Sequence, residues 1–405
     1  MPDKGKIVVV SQYYPPDRNT TAAILSRIAE HLAKETPVLV LSGTAGSASL
    51  GRGPQLSVVE VKNWVPGKAA LVRRAAAEIW LTARMFLVLL VRLQRGDVAL
   101  TVTAPFVLPY GVVAAAKLKR AKSVVIVHDL FPDALVVAGL FGTDSLVARA
   151  MRRANSLMFG ALNSIVVIGQ DTQRLLSRYG EAVRDKICFI PNWTTLPLGV
   201  RALAADNPYR RRCKAGFIVG LSGNLGFTHD PLVVFDAARI LRDDPTIHFL
   251  LSGWGIGFDQ LKAMQAEANL PNITLVERVA DEDLELLLSA ADVWVIPYRK
   301  DVAGVSIPSR FYNLLAIGRP VVLISEPGAE AAVTIKENDL GWVVPPGMPD
   351  ELARALRIAS LSKDSSMGER AVAIAGHFSS DRALASYASL VQGLLRDRNQ
   401  PGRAL

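Results

Sequence analysis

Phe217-Ile-Val-Gly-Leu-Ser-Gly-Asn-Leu-Gly226 is an apolar, β-branched run that breaks into a glycine-rich turn, and a helical pattern over Pro231–Leu241 follows it. A continuous apolar run of this kind reads as a strand buried on both faces, and glycines at its end let the backbone approach a neighbour or a ligand closely. The unit recurs. His248–Leu251 runs into Leu251-Ser-Gly-Trp-Gly-Ile-Gly257 and precedes a helix over Asp259–Ala268. Ile273–Val276, Val293–Ile296, Val321–Ile324 and Gly341–Val344 are further strands, spaced by helices at Asp281–Ala290, Arg310–Ile317 and Pro349–Ser360. Buried strands alternating with helices predict a parallel sheet covered on both faces.

The first half carries the same alternation. Ile7–Val10, Val38–Leu41, Val58–Val61, Val98–Val102, Val124–Val127 and Ile165–Ile168 read as strands, with helices such as Thr21–Lys34 and Tyr110–Leu118 between them. Ile190-Pro-Asn-Trp193, a Pro-rich passage, Asn207-Pro-Tyr and a basic run to Lys214 predict a linker near 193–212. A last helix fits Asp381–Arg396. The expected fold class is α/β: two doubly wound Rossmann-like domains, 1–200 and 201–380, facing a central cleft, with 381–405 a separate terminal segment. Ligands of such sheets bind beyond the carboxyl ends of the strands.

Composition narrows the function classes. The chain has 405 residues, of which 50% are hydrophobic and 20% charged, which excludes disordered, collagen-like and coiled-coil chains. Two cysteines, Cys188 and Cys213, make no disulfide framework, and with five histidines and no CxxC or HExxH a structural zinc site is not expected. A reducing cytoplasm fits this usage. The apolar run from Ile7 is too short for a secretory signal. Ile79–Val91, interrupted by Thr82 and Arg84, is shorter than the ~20 residues of a spanning helix.

The net charge of +9 is unevenly spread. Residues 1–205 hold 25 Lys and Arg against 13 Asp and Glu, a net of +12, and residues 206–405 hold 21 against 24, a net of −3. A basic half points to an anionic partner. On a helical wheel of Lys68–Arg95, residues Arg73, Arg74, Glu78, Arg84, Arg92 and Arg95 share one arc, while Ile79, Trp80, Phe86, Leu87, Leu89, Leu90 and Leu93 fill the rest. Two readings stand: a long surface helix buried on one side, or a helix that docks on an anionic membrane surface. Lys117-Leu-Lys-Arg120 with Lys122, and Arg149 with Arg152 and Arg153, add basic surface. Nucleic acid is disfavoured as a partner, because aromatics do not interleave with these clusters.

Four stretches carry chemistry. Val305-Ser-Ile-Pro-Ser-Arg-Phe-Tyr-Asn-Leu-Leu-Ala-Ile-Gly-Arg-Pro320 places Pro308 and Ser309 ahead of a helix, Arg310 in its first turn and Asn313 one turn on. Free N–H groups, a hydroxyl and a bidentate guanidinium at one helix start make an anion site. An ordinary Ser-capped helix with a solvent Arg is the plainer reading. Gly223 and Asn224 end the first glycine-rich turn, while Gly253–Gly257 fails the GxGxxG spacing and no Walker A motif exists. Tyr13-Tyr-Pro-Pro-Asp-Arg-Asn-Thr-Thr-Ala22 opens a helix, with Arg18 beside the N-cap types Asn19, Thr20 and Thr21. Val127-His-Asp-Leu-Phe-Pro-Asp133 puts His128 and Asp129 at a strand's carboxyl end.

Taken in order, Tyr14-Pro-Pro, His128-Asp-Leu-Phe-Pro, Ile190-Pro-Asn-Trp, Ser222-Gly-Asn-Leu-Gly with His229, Gly253-Trp-Gly, Pro308-Ser-Arg with Ala316-Ile-Gly-Arg-Pro320, and Gly341-Trp-Val-Val-Pro-Pro-Gly347 span about residues 6–350. This ordered set resembles family 4 glycosyltransferases of the GT-B fold. The resemblance is strongest to bacterial enzymes that extend lipid-linked saccharides for exopolysaccharide, capsule or O-antigen. It implies a nucleotide-sugar donor, a UDP-sugar foremost, in the second domain and a saccharide acceptor, polyprenyl-diphosphate-linked or other, in the first. Anomeric configuration is retained, and neither a metal nor another cofactor is expected. The terminal helix crosses back to the first domain in this fold. Location at the inner face of the cytoplasmic membrane follows from such an acceptor.

The resemblance also assigns residues. Arg310 and Ser309 hold the donor diphosphate, with the amides of Gly304, Val305 and Ser306 nearby, and Gly223 and Asn224 border the phosphates. Arg278 lines the base pocket, and Asn313 takes the place of a usual ribose-binding Glu. His128 sits beside the donor sugar, oriented by Asp129, and Arg18, Asn19 and Thr20 form an acceptor or phosphate loop. The chain departs from the family's pattern at three points. Val305 and Asn313 stand where many relatives carry two glutamates, Asn19-Thr-Thr replaces a double glycine, and the Arg and Lys common after the first strand of the second domain are missing. His229 and Arg310 are expected to compensate for the last. With no carboxylate pair in view, front-face attack is the expected mechanism. A catalytically silent partner subunit and a sugar-nucleotide epimerase or hydrolase of the same fold are the alternatives.

Overall fold

The computed structural model describes residues 5–50, 53–64, 71–362 and 364–396. The chain divides into two compact units: Met1–Phe131, Arg149–Pro191 and Asp381–Leu405 form one, Pro132–Ala148 and Asn192–Ser380 the other. Each unit is built on one parallel sheet.

In the first unit the strands are β1 (Ile7–Ser11), β2 (Val38–Ser42), β3 (Leu56–Glu60), β4 (Val98–Val102), β5 (Lys122–Val127), β6 (Ser164–Val167) and β7 (Ile187–Phe189), in the spatial order β3-β2-β1-β4-β5-β6-β7. Every residue of β1, β2 and β4 is buried, as the unbroken apolar runs require. β7 has no counterpart among the strands read from sequence, being a three-residue, half-buried edge strand on β6.

The second unit holds β8 (Phe217–Asn224), β9 (Ile247–Trp254), β10 (Ile273–Glu277), β11 (Val293–Pro297), β12 (Val321–Ile324) and β13 (Gly341–Val344), ordered β10-β9-β8-β11-β12-β13. Alternate residues face opposite helix layers. Ile218, Leu250, Trp294, Ile296 and Leu323 join one core, and Val219, Leu221, Phe249, Val295 and Ile324 the other. β8 and β9 run three residues further than their apolar stretches predict. Ser222, Gly223 and Asn224 pair in parallel with Ser252, Gly253 and Trp254, so the two glycine-rich turns lie side by side.

Residues 192–200, assigned by sequence to the first domain, lie with the second unit. The N–H of Gly199 donates to the Ala316 carbonyl at 2.9 Å and that of Arg201 to Ile317 at 3.1 Å. Arg319, 4% exposed, reaches the carbonyls of Arg201 and Ser289 at 2.8 and 3.0 Å. Arg210 pairs with Asp292 at 2.8 Å. These contacts fasten the connector down. In the first unit, the helix Ser380–Arg396 buries Tyr387 and Val391, and the Gln392 side chain donates to Glu35.

The helix Leu71–Arg92 covers most of the amphipathic stretch, and Lys68 lies outside the described residues. Ala77, Leu81, Met85, Leu89 and the following Leu93 form its buried stripe. The opposite side stays apolar and open: Trp80 is 57% exposed, Leu87 61% and Val91 80%. Among the described residues no helix is long and apolar enough to cross a membrane.

Candidate functional site

The strand order in the second sheet switches sides between the parallel neighbours β8 and β11, and a crevice at the carboxyl ends of those strands is where a doubly wound sheet takes its ligand. A recess opens there, walled by Ser222, Ser252, Trp254, Arg278, Asp281 and Arg310. Glycine is required at two places beside it. A Cβ on Gly253 would collide with the carbonyl oxygen of Gly223, and Gly255 has φ +96° with Asn224 Oδ1 only 2.6 Å from where its Cβ would be. The guanidinium of Arg278 stacks 4.5 Å over the Trp254 ring, making one flat wall.

Arg310 is the second residue of the helix Ser309–Ala316. The N-cap is Pro308, which offers no side-chain acceptor, so the positive end of the helix is left without a side-chain cap. Phe311, Tyr312, Leu314 and Leu315 are buried and fix the helix in place. Nε of Arg310 is buried and has no hydrogen-bond partner among the described residues. Burial pulls its pKa down to about 10, with Asp281 opposing, so the side chain is charged at neutral pH. A buried guanidinium N–H at a helix start is a donor suited to an anion's oxygens.

The other expected donor residues fare differently. Gly223 and Asn224 end β8, directly after Ser222 of the recess wall, and are not themselves among the residues that wall it. Ser309 is exposed at the helix start. The amides of Val305 and Ser306 are not open donors, because both bond the Val302 carbonyl, at 2.8 and 3.4 Å, within a turn that Gly304 enters at φ +75°. His229 is not a replacement cation. Burial, then Arg299, pushes its pKa to about 4, so the ring is neutral and packs 5.0 Å from Tyr298. Arg299 pins the turn, its Nε donating to the His229 carbonyl at 2.9 Å. Asn313, 7% exposed, has its side-chain oxygen engaged by the Thr195 N–H and the Thr195 hydroxyl, with the Thr194 hydroxyl at 3.2 Å, so that oxygen is committed to the connector. Asp281 was missed, since Asp281-Glu282-Asp283 reads as a solvated acidic run.

In the first unit, Arg18, Asn19 and Thr20 follow β1 and His128 and Asp129 follow β5, all at the carboxyl side of the sheet. Asn19 caps the helix Thr20–Leu32, accepting from Ala22 N at 2.9 Å, while its amide donates to Asp17 at 3.1 Å. Its side chain is therefore committed locally, whereas Arg18 and Thr20 are exposed. The backbone N–H groups of His128 and Asp129 both donate to Thr103 Oγ1, at 3.1 and 3.3 Å. Thr103, the residue after β4, thus holds the backbone of this turn, and sequence did not single it out. Burial holds the His128 pKa at about 4, and its Nε2 is buried with no partner among the described residues. A neutral imidazole with one unmet nitrogen suits a ligand hydroxyl.

Residues 216–360 match the family described as glycosyl transferases group 1. A Pseudomonas aeruginosa protein named as a glycosyltransferase, WbjE, is 27% identical over 400 residues, covering 97% of this chain and 99% of its own. An Escherichia coli (strain K12) protein named as a colanic acid biosynthesis glycosyl transferase, WcaI, is 25% identical over 53% of this chain and 54% of its own. The structure of Anabaena Alr3699/HepE, solved in complex with UDP and glucose, superposes with a TM-score of 0.69 at 16% identity, over 97% of this chain and 100% of that one. The two parallel sheets are those of the GT-B fold, residues 216–360 match the glycosyl transferases group 1 family, and the chain is a glycosyltransferase.

Proposed function

We propose that this enzyme is a family 4, retaining glycosyltransferase of polysaccharide biosynthesis, moving a sugar from a nucleoside-diphosphate donor to a polyprenyl-diphosphate-linked saccharide. The observation that carries the donor half is Arg310, whose buried Nε has no partner among the described residues, at a helix start without a side-chain cap, in a recess with a Trp254–Arg278 wall. A UDP-sugar is the first donor to try, because the Anabaena protein of the same fold was solved with UDP and glucose. The names of WbjE and WcaI support polysaccharide assembly as the setting.

The chemistry needs little from side chains beyond charge and position. As the bond from the sugar's C1 to the diphosphate oxygen breaks, negative charge grows on the leaving phosphate, and Arg310 with the helix N–H groups stabilises it. The acceptor hydroxyl attacks C1 from the same face and gives its proton to that phosphate oxygen. No protein nucleophile or metal takes part in this scheme. In the first unit, the neutral His128 offers Nε2 to a ligand hydroxyl.

The acceptor's lipid gives the first unit a surface to meet. Its +12 half and the open stripe Trp80, Leu87 and Val91 on the helix Leu71–Arg92 support docking on the anionic, cytoplasmic leaflet. Proton NMR of the transfer product tests the reaction class. A glycosidic anomer matching that of the donor supports the reading, and an inverted anomer overturns it.

A further inference from the structure

We propose that Asp281 grips the vicinal hydroxyls of the donor's ribose and so makes the site prefer ribonucleoside over 2′-deoxyribonucleoside diphosphates. The inference rests on the donor-site reading above and adds to it a specificity-determining residue. A cis-diol presents two O–H donors and needs an acceptor-rich partner, for which an ionised carboxylate with two oxygens is well suited. Asn313 cannot serve without giving up its own bonds. Its oxygen already accepts from Thr195 N at 2.9 Å and from the Thr195 hydroxyl at 3.2 Å, and the residue is 7% exposed.

Ribose joins the base to the diphosphate. Its partner must therefore share one recess with a base wall and a phosphate anchor. Trp254 and Arg278 supply the flat wall, Arg310 supplies the anchor, and Asp281 lines the same recess. Among the described lining residues Asp281 carries the one carboxylate, beside the hydroxyls of Ser222 and Ser252. It opens the turn Asp281–Asp283, which leads into the helix Leu284–Leu288, so its backbone is set by regular structure while its side chain is exposed. Asp281 also lies close enough to Arg310 to act on its charge.

The test is calorimetric titration of the full chain with three pairs: UDP and 2′-deoxy-UDP, ADP and 2′-deoxy-ADP, GDP and 2′-deoxy-GDP. Wild type is expected to bind the ribo member of its preferred pair about tenfold more tightly, the worth of a hydrogen bond to a charged group. Asp281→Asn, an isosteric change at an exposed position, is expected to cut that preference to about twofold while the 2′-deoxy member binds as before. A preference kept in full by Asp281→Asn overturns the inference, as does no preference in wild type. Equal weakening of both members in Asp281→Asn also overturns it, since it would assign Asp281 to orienting Arg310. Arg310→Ala is expected to weaken both members of a pair alike. Binding of dTDP, a 2′-deoxy diphosphate, in preference to all six overturns the inference while leaving the donor-site reading in place; if wild type binds neither dTDP nor any of the six, the donor-site reading itself falls, which separates that failure from a failure at Asp281.

Discussion

Thr195 donates its backbone N–H to the side-chain oxygen of Asn313 at 2.9 Å, across 118 positions of sequence. The hydroxyls of Thr194 and Thr195 reach the same oxygen at 3.2 Å. The bond ties the connector to the helix whose first turn holds Arg310. Asn313→Ala removes the acceptor from the Thr195 N–H and hydroxyl, while the Thr194 hydroxyl keeps Leu196 O at 3.0 Å, and is expected to cost about 1–3 kcal/mol of stability. Thermal unfolding checks the loss. Because Asn313 is read here as a tie and not as a ligand contact, the folded variant should bind nucleoside diphosphate within about threefold of wild type.

Arg319 fastens the other end of the connector. Its guanidinium donates to Arg201 O at 2.8 Å and Ser289 O at 3.0 Å from a position 4% exposed. Arg319→Met keeps the length but leaves buried carbonyls without donors. The expected loss is about 3 kcal/mol, read as a lowered urea midpoint. An unchanged midpoint would mean that the connector is held by the neighbouring pair Arg210–Asp292 alone.

Acid should loosen the fold. Burial pushes His128, His229 and His248 each to about 4. An unfolded histidine titrates near 6.5, so between roughly 6.5 and 4 the unfolded chain takes up protons that the folded one refuses. Stability is full above that window and falls with pH inside it, by up to ~1.4 kcal/mol per pH unit for each histidine. His248, 2% exposed and held by Thr274 Oγ1 at 2.8 Å, offers the cleanest control. Urea midpoints measured from pH 7.5 to 4.5 should drop, and His248→Gln should flatten the fall by one histidine's share. A flat wild-type profile contradicts the prediction.

The exposed stripe of Leu71–Arg92 predicts membrane behaviour. Trp80 and Leu87 are 57% and 61% exposed, so charge there should spare the fold. The double change Trp80→Glu, Leu87→Glu is expected to weaken binding to vesicles containing anionic lipid at least ~10-fold. Nucleotide binding should be untouched. Sedimentation with anionic and neutral vesicles checks both halves, and equal wild-type binding to the two contradicts the electrostatic part.

The strands were legible because burial on both faces writes itself as unbroken Val, Ile and Leu, and all twelve expected strands form. β7 was not, because a three-residue edge strand flanked by Lys186 has no such run. The helix start that carries Arg310 was legible from local chemistry alone, a Pro-Ser-Arg run. The tie from Asn313 to Thr195 was not, because spacing shows which face of a helix a residue is on, not which distant residue claims it. Thr103 and Asp281 carry no local signature at all. One is a lone threonine after an apolar strand, and the other is one acid in a run of three. The departure at His229 is electrostatic: sequence supplies the ring, and only burial beside Arg299 shows that it carries no charge.

The central claim is that the second unit holds a nucleoside diphosphate through Arg310. The most direct measurement is thermal stabilisation by UDP, GDP, ADP and dTDP, with and without EDTA, in wild type and Arg310→Ala. A ligand that binds only the folded state at 100 times its Kd adds about 2.7 kcal/mol. The account predicts selective stabilisation by one of the four, undiminished by EDTA and lost in Arg310→Ala. Stabilisation of equal size in the variant, or none by any nucleotide in wild type, would contradict it.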